Sequence, residues 1–219
     1  ASGVVTGVRG SVLAPDASPR GVASNRIVEG EFEYGGQAVV VTSGGIGGNH
    51  DLVRANWPQR LGEAPADMLT GVPAYVDGRM LAITEAAGGA VVNRDRMWHY
   101  VEGVRNWDPV WPGHAIRILA GPSAMWFDGR GNRLPAPYFP GFDTLGTLDH
   151  LQHTGVEHSW FILNRALAGK EFALSGSEQN LDLTERRYRD VLKRPITAVQ
   201  PSVQAFLDHV GTALDRLDD

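Results

Sequence analysis

The amino-acid sequence predicts an α+β fold, in which a run of strands comes first and helices and strands are mixed after it. Three observations lead to this prediction. Residues 1–13 and 28–34 show the period-two alternation of half-buried strands. A glycine-rich segment at 43–49 precedes the first helix signal. Apolar side chains at 201–217 recur at helical spacing.

The first 43 residues are predicted to form an antiparallel meander. In the first strand, one parity carries Val4, Thr6, Val8 and Val12. In the second, glutamates at 29, 31 and 33 alternate with apolar side chains. Gly35-Gly36 is predicted to turn the chain into residues 37–42, where Val39-Val40-Val41 has no polar alternation. Such a run is typical of a strand that is buried on both faces.

Capping residues mark the helices that follow. Asn49 is a favourable N-cap for a helix over 50–56, and Asp77 opens a second helix that Gly88-Gly89 ends. The further elements predicted are strands at 90–93, 123–128 and 159–163, a turn at 129–132, and helices at 147–153, 164–172 and 201–217.

Composition excludes several classes of function. The 219 residues are 42% hydrophobic, enough for a buried core, but no stretch approaches the roughly 20 apolar residues of a membrane-spanning helix. The net charge of −5 argues against a nucleic-acid partner. The absence of cysteine excludes disulfides, thiolate metal sites and cysteine nucleophiles. No signal peptide is visible, so we expect a cytoplasmic location, and the start at Ala1 leads us to expect a piece of a longer protein.

The strongest chemical signal is Gly44-Gly45-Ile46-Gly47-Gly48-Asn49, between the predicted third strand and the first helix. Glycine lets the main chain approach a ligand closely, and a helix N-terminus offers free N–H groups to an anion. The arrangement suits a cofactor with phosphates or a flavin ring. It is not a P-loop, since it has no Lys-Ser/Thr pair, and His50 stands where a dinucleotide fingerprint starting at Gly45 needs its third glycine. The alternative is a turn that needs glycine only for positive φ angles.

Three segments carry a resemblance to a known family. Val39–Asn49 resembles the second glycine motif of FAD-dependent dehydrogenases in the fumarate reductase and 3-ketosteroid dehydrogenase superfamily. Val76–Leu81, with Ala87-Gly88 after it, resembles the next motif of that family, in which an Asp-Gly step opens a helix. Met125–Leu134 resembles its strand and Gly-x-Arg turn. The resemblance extends over essentially the whole chain.

The resemblance implies a partial FAD-binding domain over residues 1–57, made of the β-meander and the strand, Gly-rich turn and helix. An α+β cap or substrate domain would follow over residues 58–219. FAD would be the cofactor, contacted by Gly44, Gly45, Gly47, Gly48, Asn49, Asp77 and Gly78. The phosphate-binding finger of the family has no counterpart in the sequence, so we expect the chain alone to bind FAD weakly or not at all. The implied reaction transfers a hydride between flavin and a carbon–carbon bond activated by a carbonyl.

One departure from the family pattern bears on the substrate. Arg133 is followed by Leu134-Pro135, where fumarate-type enzymes carry a polar Asn-Glu pair. This argues against a small dicarboxylate, and the Trp- and Pro-rich stretch at 97–142 favours a larger apolar ketone that resembles a steroid. The alternative function is a catalytically inert or structural module, which folds but lacks the parts needed to bind FAD.

Four residues are candidates for substrate-side chemistry: His99, Tyr100, Tyr138 and Arg133. Trp98-His99-Tyr100 combines an acid/base imidazole, a phenol and a flat apolar wall, and strand alternation would place His99 opposite its aromatic neighbours. Tyr138 lies in a proline-stiffened loop, and Arg133 would act as a charged donor. The alternative for His99 is a half-buried histidine that bonds to the main chain.

Two further features suggest other roles. His150 and His153 stand three residues apart on a predicted helix, a spacing that metal sites use, and Glu157-His158 follow. Because the sequence has no H-E-x-x-H motif and Gly155 is expected to end the helix, we expect no metal centre. The amphipathic helix over 201–217 is a candidate docking surface, and exposed apolar surface could pair two copies of the chain.

Overall fold

The structure, a computed structural model, describes residues 3–19, 22, 24–106, 109–119, 121–171 and 173–175. Helices and strands are mixed along these residues, which confirms the predicted combination of α and β structure. In chain order the elements are β1 (Gly7–Leu13), β2 (Val28–Gly35), α1 (His50–Ala55), a 3₁₀ turn (Gln59–Leu61), α2 (Arg79–Ala86), β3 (Gly103–Arg105), β4 (Ala115–Leu119), β5 (Met125–Asp128), α3 (Thr144–His153), β6 (Ser159–Ile162), α4 (Arg165–Lys170) and β7 (Ala173–Ser175).

The strands form small antiparallel sheets. β1 pairs with β2, β5 pairs with β6, and β4 lies between β3 and β7. The described residues fall into two compact units. The first unit comprises the residues up to Ala55 together with Val72–Arg94, and the second comprises Asn56–Gly71 together with the residues from Asp95 onward. The division predicted at residue 57, drawn from family roles, stays a prediction.

The first unit contains the predicted strand pair but not the predicted third strand. The N–H of Gly36 donates to the carbonyl of Thr6 at 2.8 Å, closing the end of the β1–β2 ribbon. Val39-Val40-Val41, predicted to be a doubly buried strand, lies outside any strand, and Val40 is 82% exposed. The prediction was wrong because burial needs neighbouring strands, and no described strand pairs with this segment. The strand predicted at 90–93 is also absent.

Caps define both helices of the first unit. Asn49 Oδ1 accepts the N–H of Leu52 at 3.1 Å, which confirms Asn49 as the N-cap of α1. At the end of α2, Gly88 N–H donates to the carbonyl of Glu85 and Gly89 N–H to that of Thr84, each at 2.9 Å. This pair of bonds is a Schellman motif, and it confirms the predicted end of the helix. The helix begins at Arg79 and its N-cap is Gly78, so Asp77, which was predicted to cap it, lies one position before the cap.

The second unit holds most of the buried apolar side chains. Ile116 is fully buried, and the others include Leu61, Trp111, Trp126 and Leu134. The two strands, the turn and the two helices predicted from 123 to 172 are confirmed, with ends that differ by a few residues. Asp143 and Asn164 cap α3 and α4 by accepting the N–H of Gly146 and Leu167.

Some elements of the second unit were not predicted. β3, β4 and β7 are absent from the sequence-based prediction because they are short and their pairing joins distant segments. The predicted helix over 201–217 lies outside the described residues. Among the described residues, no helix combines the length and apolar character needed to cross a bilayer.

Two glycines of the predicted cofactor segment differ sharply in their surroundings. Gly48 N–H donates to the carbonyl of Val76 at 2.8 Å, and a Cβ on Gly48 would lie 2.6 Å from the carbonyl oxygen of Pro73. A Cβ on Gly45 would meet no atom within 4 Å. Glycine at 48 is therefore required by internal packing, whereas glycine at 45 is not.

We predict that Gly48→Ala lowers the free energy of unfolding by about 1–3 kcal/mol, because the added methyl overpacks main chain that cannot move aside. Gly45→Ala should leave stability unchanged or raise it by up to about 1 kcal/mol, since it only restricts the unfolded chain. Thermal unfolding followed by circular dichroism measures both variants. Equal loss of stability in the two would contradict the packing described at Gly48.

Candidate functional site

The first unit brings together the two segments that the sequence predicts to face a cofactor. The bond from Gly48 N–H to Val76 places the bend at residues 43–49 beside the Asp77-Gly78 step. Asn49 adds a second link, because its Nδ2 donates to the carbonyl of Asp77 at 3.3 Å. The seven predicted cofactor residues come from two segments, 44–49 and 77–78, which are separated by 28 positions in sequence. In the folded unit they form one local cluster.

Several residues of this cluster have clear internal roles. Gly78 has a φ of 78°, and a Cβ there would lie 2.7 Å from Leu52 Cδ2 and 2.8 Å from Ile46 Cγ2. Asp77 accepts the N–H of Arg79 at 3.0 Å and pairs with its guanidinium at 2.9 Å. The hydrogen bond from the main-chain N–H of Arg79, followed by the charge of that residue, lowers the pKa of Asp77. These contacts fix the start of α2, and contact with FAD stays a prediction for each residue.

The open part of the cluster is the bend from Ser43 to Gly47. Ser43, Gly44 and Gly45 are exposed, and Gly44 has a φ of 87°. Within the described residues, no hydrogen-bond acceptor pairs with the N–H groups of Ser43, Gly44, Gly45, Ile46 or Gly47. Main chain with free N–H groups and no side chain at 44 and 45 can lie close against a flat or anionic ligand. The residues present therefore fit a flavin nucleotide.

His99 is the best-supported candidate in the second unit for proton transfer. Its ring lies edge-on to Trp57 with centroids 4.9 Å apart, whereas the rings of Trp98 and Tyr100 lie 6.0 Å from each other. Among the described residues, the buried Nε2 atom of His99 has no hydrogen-bond partner. Burial, with the nearby positive charge of Arg60, lowers the pKa of His99. The imidazole is therefore neutral at pH 7 and able to accept a proton.

His99 opens onto a cavity of about 300 Å³. The walls are formed by cationic, apolar and hydroxyl side chains, namely Arg60, Arg96, Met97, Trp98, His99, Thr144 and Leu145. Two of these, Thr144 and Leu145, are the first residues of α3. Arg60 and the α3 residues were not predicted, because only folding brings them to the 96–99 segment.

Tyr100 lies beside a charged pair that sequence reasoning also missed. The guanidinium carbon of Arg117 is 4.0 Å from the centre of the Tyr100 ring. Arg117 Nε in turn lies 3.6 Å from a carboxylate oxygen of Glu102, which is only 3% exposed. The buried carboxylate holds the guanidinium over the ring, so the position of Tyr100 is fixed from β4.

Tyr138 and Arg133 do not line the cavity at His99. The ring of Tyr138 stacks on His150 of α3 at a centroid distance of 5.0 Å. Arg133 is exposed and forms an isolated bridge with Phe127. Of the four predicted substrate-side residues, only His99 lines this cavity. Their catalytic roles stay predictions.

The histidines of α3 have other contacts. His150 stacks on Tyr138, and Nδ1 of His153 lies 2.7 Å from the carbonyl oxygen of Asp149. Glu157 accepts the N–H of Ala66 at 3.0 Å. Over the part of the chain that the structure describes, no group of three His, Asp or Glu side chains is arranged to hold a metal ion.

Comparisons with known proteins agree with the chemistry of the open bend. The sequence profile described as "FAD binding domain" matches residues 2–218. A KsdD-like steroid dehydrogenase of Mycolicibacterium smegmatis is 59% identical over 208 residues, which cover 95% of this chain and 38% of that protein. KsdD-like steroid dehydrogenases from two strains of Mycobacterium tuberculosis are 58% identical over 205 residues, which cover 93% of this chain and 36% of theirs.

The chain thus spans little more than a third of the length of these curated relatives. No solved structure matches it. The family resemblance stated from the glycine, Asp-Gly and Gly-x-Arg motifs is confirmed, and FAD is the cofactor of the family. The chain belongs to the FAD-binding domain family of the fumarate reductase and 3-ketosteroid dehydrogenase flavoproteins.

Proposed function

We propose that this chain forms part of a flavin-dependent dehydrogenase that transfers a hydride between FAD and a carbon–carbon bond beside a carbonyl group. The observation that carries the proposal is the open bend from Ser43 to Gly47, whose N–H groups have no partners among the described residues. In a chain that belongs to an FAD-binding family, this free main chain is the natural contact for the cofactor.

FAD would rest against Gly44, Gly45 and Gly47, where no large side chain separates it from the main chain. Gly48, Asn49, Asp77 and Gly78 would support the site indirectly, since their contacts hold the bend and the start of α2 in position. When bound, the flavin supplies the acceptor or donor of the hydride. The protein positions it and provides the proton transfer.

An apolar ketone resembling a steroid is the substrate class we propose. The mycobacterial relatives are named KsdD-like steroid dehydrogenases. In the second unit, Trp98 is 84% exposed and Phe142 is 73% exposed, which gives flat apolar surface for a polycyclic molecule. Arg133 is followed by Leu134, a buried apolar residue. Fumarate-type enzymes carry a carboxylate after the arginine, and this chain does not.

His99 is the proposed general base or acid of the reaction. Removal of a proton beside a carbonyl needs a neutral base within reach of the substrate, and the unpartnered Nε2 of His99 meets the first condition. Tyr100, held by Arg117, would donate a hydrogen bond to the carbonyl oxygen. Tyr138 and Arg133 are the weaker candidates for that donor. The cytoplasmic location expected from the sequence stays a prediction.

One observation favours the alternative, in which the chain alone is inert. Among the described residues, Val53 is the buried apolar side chain of the first unit, while the valines at 8, 12 and 40 are exposed. A unit with so little core has little packing to stabilise it as a whole, even though local contacts hold the bend. We therefore expect the isolated chain to bind FAD weakly or not at all.

A chimera tests the proposed function. The 219 residues replace the matching segment of the M. smegmatis relative, which is 59% identical. We expect the purified chimera to be yellow, to contain about one FAD per chain, and to reduce a dye acceptor when given a 3-ketosteroid. Gly45→Val in the chimera should cut FAD occupancy at least about tenfold, because the side chain occupies the open space before the bend.

Gly30→Val is the matched control for this substitution. Gly30 lies in β2 of the same unit, and a Cβ there also meets no atom within 4 Å. FAD occupancy should be unchanged in this variant. Full FAD content in the Gly45→Val chimera would refute the proposed contact.

We predict that His99→Gln in the same chimera lowers kcat by about 10²-fold or more, the usual contribution of a positioned acid or base. The dependence of the rate on pH follows from the protonation state of His99. Since the folded pKa of His99 lies below the ordinary value of about 6.5, the imidazole is already neutral at pH 7. The wild-type rate should therefore fall only at a pH below that at which an ordinary histidine titrates, where the base becomes protonated.

His153→Gln is the control, because His153 is an exposed histidine of α3 that lies outside the cavity lining. This variant should leave both kcat and the fall of the rate at low pH unchanged. If the rate of the His99→Gln variant falls at low pH as it does in the wild type, the group that titrates is not His99.

A further inference from the structure

The cavity beside His99 shares His99 and Trp98 with the site of the proposed reaction, but its two arginines have no part in that reaction. Two guanidinium groups and three apolar side chains share one space of about 300 Å³, which is at the lower end of the size of small-molecule sites. We propose that this cavity binds an organic monoanion, namely a carboxylate carried on a flat apolar body.

The charge at the cavity is positive. Arg60 pairs with Asp95 at 3.1 Å, so these two charges largely cancel. Among the described residues, Arg96 makes neither a hydrogen bond nor an ion pair, although it lines the same space. Asp143, which precedes α3, directs its carboxylate to the N–H of Gly146 at 2.9 Å. One positive charge is left for a ligand, and a planar guanidinium matches a carboxylate with two parallel hydrogen bonds.

The apolar walls select an organic anion over an inorganic one. Met97, Trp98 and Leu145 line the cavity together with the arginines. Trp98 is 84% exposed and Leu145 is 47% exposed, so both retain surface that a flat ring system can cover. Covering this surface would stabilise the complex by removing apolar area from water. An inorganic phosphate would use the charge but leave these side chains exposed.

His99 also lines the cavity. Its Nε2 is buried without a partner among the described residues, and a buried polar atom of this kind costs free energy until a ligand or water bonds to it. The neutral ring adds no charge to the site. The ligand we infer therefore has one negative end for Arg96 and a flat body for Trp98 and Leu145.

Isothermal titration calorimetry of the 219-residue chain at low salt tests the proposal, with no flavin and no turnover. The probes are 2-naphthoate and 2-naphthalenemethanol, which share a ring system and differ in charge. We expect naphthoate to bind at least about tenfold more tightly than the alcohol, and added salt to reduce this preference. Inorganic phosphate should bind more weakly than naphthoate.

The variants isolate the charge from the apolar wall. Arg96→Gln should remove most of the preference for the carboxylate, and Trp98→Ala should weaken both naphthalene probes. Both residues are exposed, so neither change should unfold the chain. Arg105→Gln is the control, because Arg105 is also exposed, pairs with Asp67 and lies outside the cavity lining. It changes the net charge equally and should leave binding unchanged.

Three results would overturn the proposal: equal affinity for naphthoate and the alcohol, phosphate binding as tight as naphthoate, or Arg96→Gln and Arg105→Gln with the same effect. Absence of naphthoate binding to the folded wild-type chain would also overturn it. The reaction proposed for the larger protein is unaffected by these outcomes, because the experiment measures binding alone.

Discussion

The contact of main chain against main chain at Gly48 is the constraint on which the candidate cofactor site depends. Gly48 N–H reaches the carbonyl of Val76 only because no Cβ separates it from Pro73. This bond places the bend beside Asp77 and Gly78, and the amide of Asn49 strengthens the link. These contacts of Gly48 and Asn49 join the two segments. The N–H groups from Ser43 to Gly47 have no acceptors among the described residues. An open, preformed patch of this kind is suited to a cofactor.

Local signals in the sequence predicted the parts of the structure that depend on nearby residues. The cap at Asn49, the Schellman end at Gly88-Gly89 and the turn after β5 each arise within about six positions, and each was predicted. The family motifs also identified FAD as the cofactor. Backbone geometry near glycine and capping residues follows from short-range sterics and hydrogen bonds, so a single sequence is sufficient to recognise it.

Features that depend on distant residues were not predicted. Val39-Val40-Val41 was interpreted as a buried strand from its apolar run, but burial requires neighbours, and no described strand pairs with it. β4 pairs with β7 across more than fifty positions, and neither strand carries a strong local signal. The cavity at His99 combines Arg60 and Arg96 with the start of α3, and of its lining only Trp98 and His99 were predicted from the sequence.

Hydrogen–deuterium exchange on the chimera, with and without FAD, tests the exposed bend most directly. We predict fast exchange of the amides from Gly44 to Gly47 in the flavin-free protein, because they have no acceptors among the described residues, and strong protection once FAD is bound. The amide of Gly48 should be protected in both states by Val76. Protection of the bend before FAD is added, or unchanged exchange after it binds, would contradict the assignment of this main chain to the cofactor.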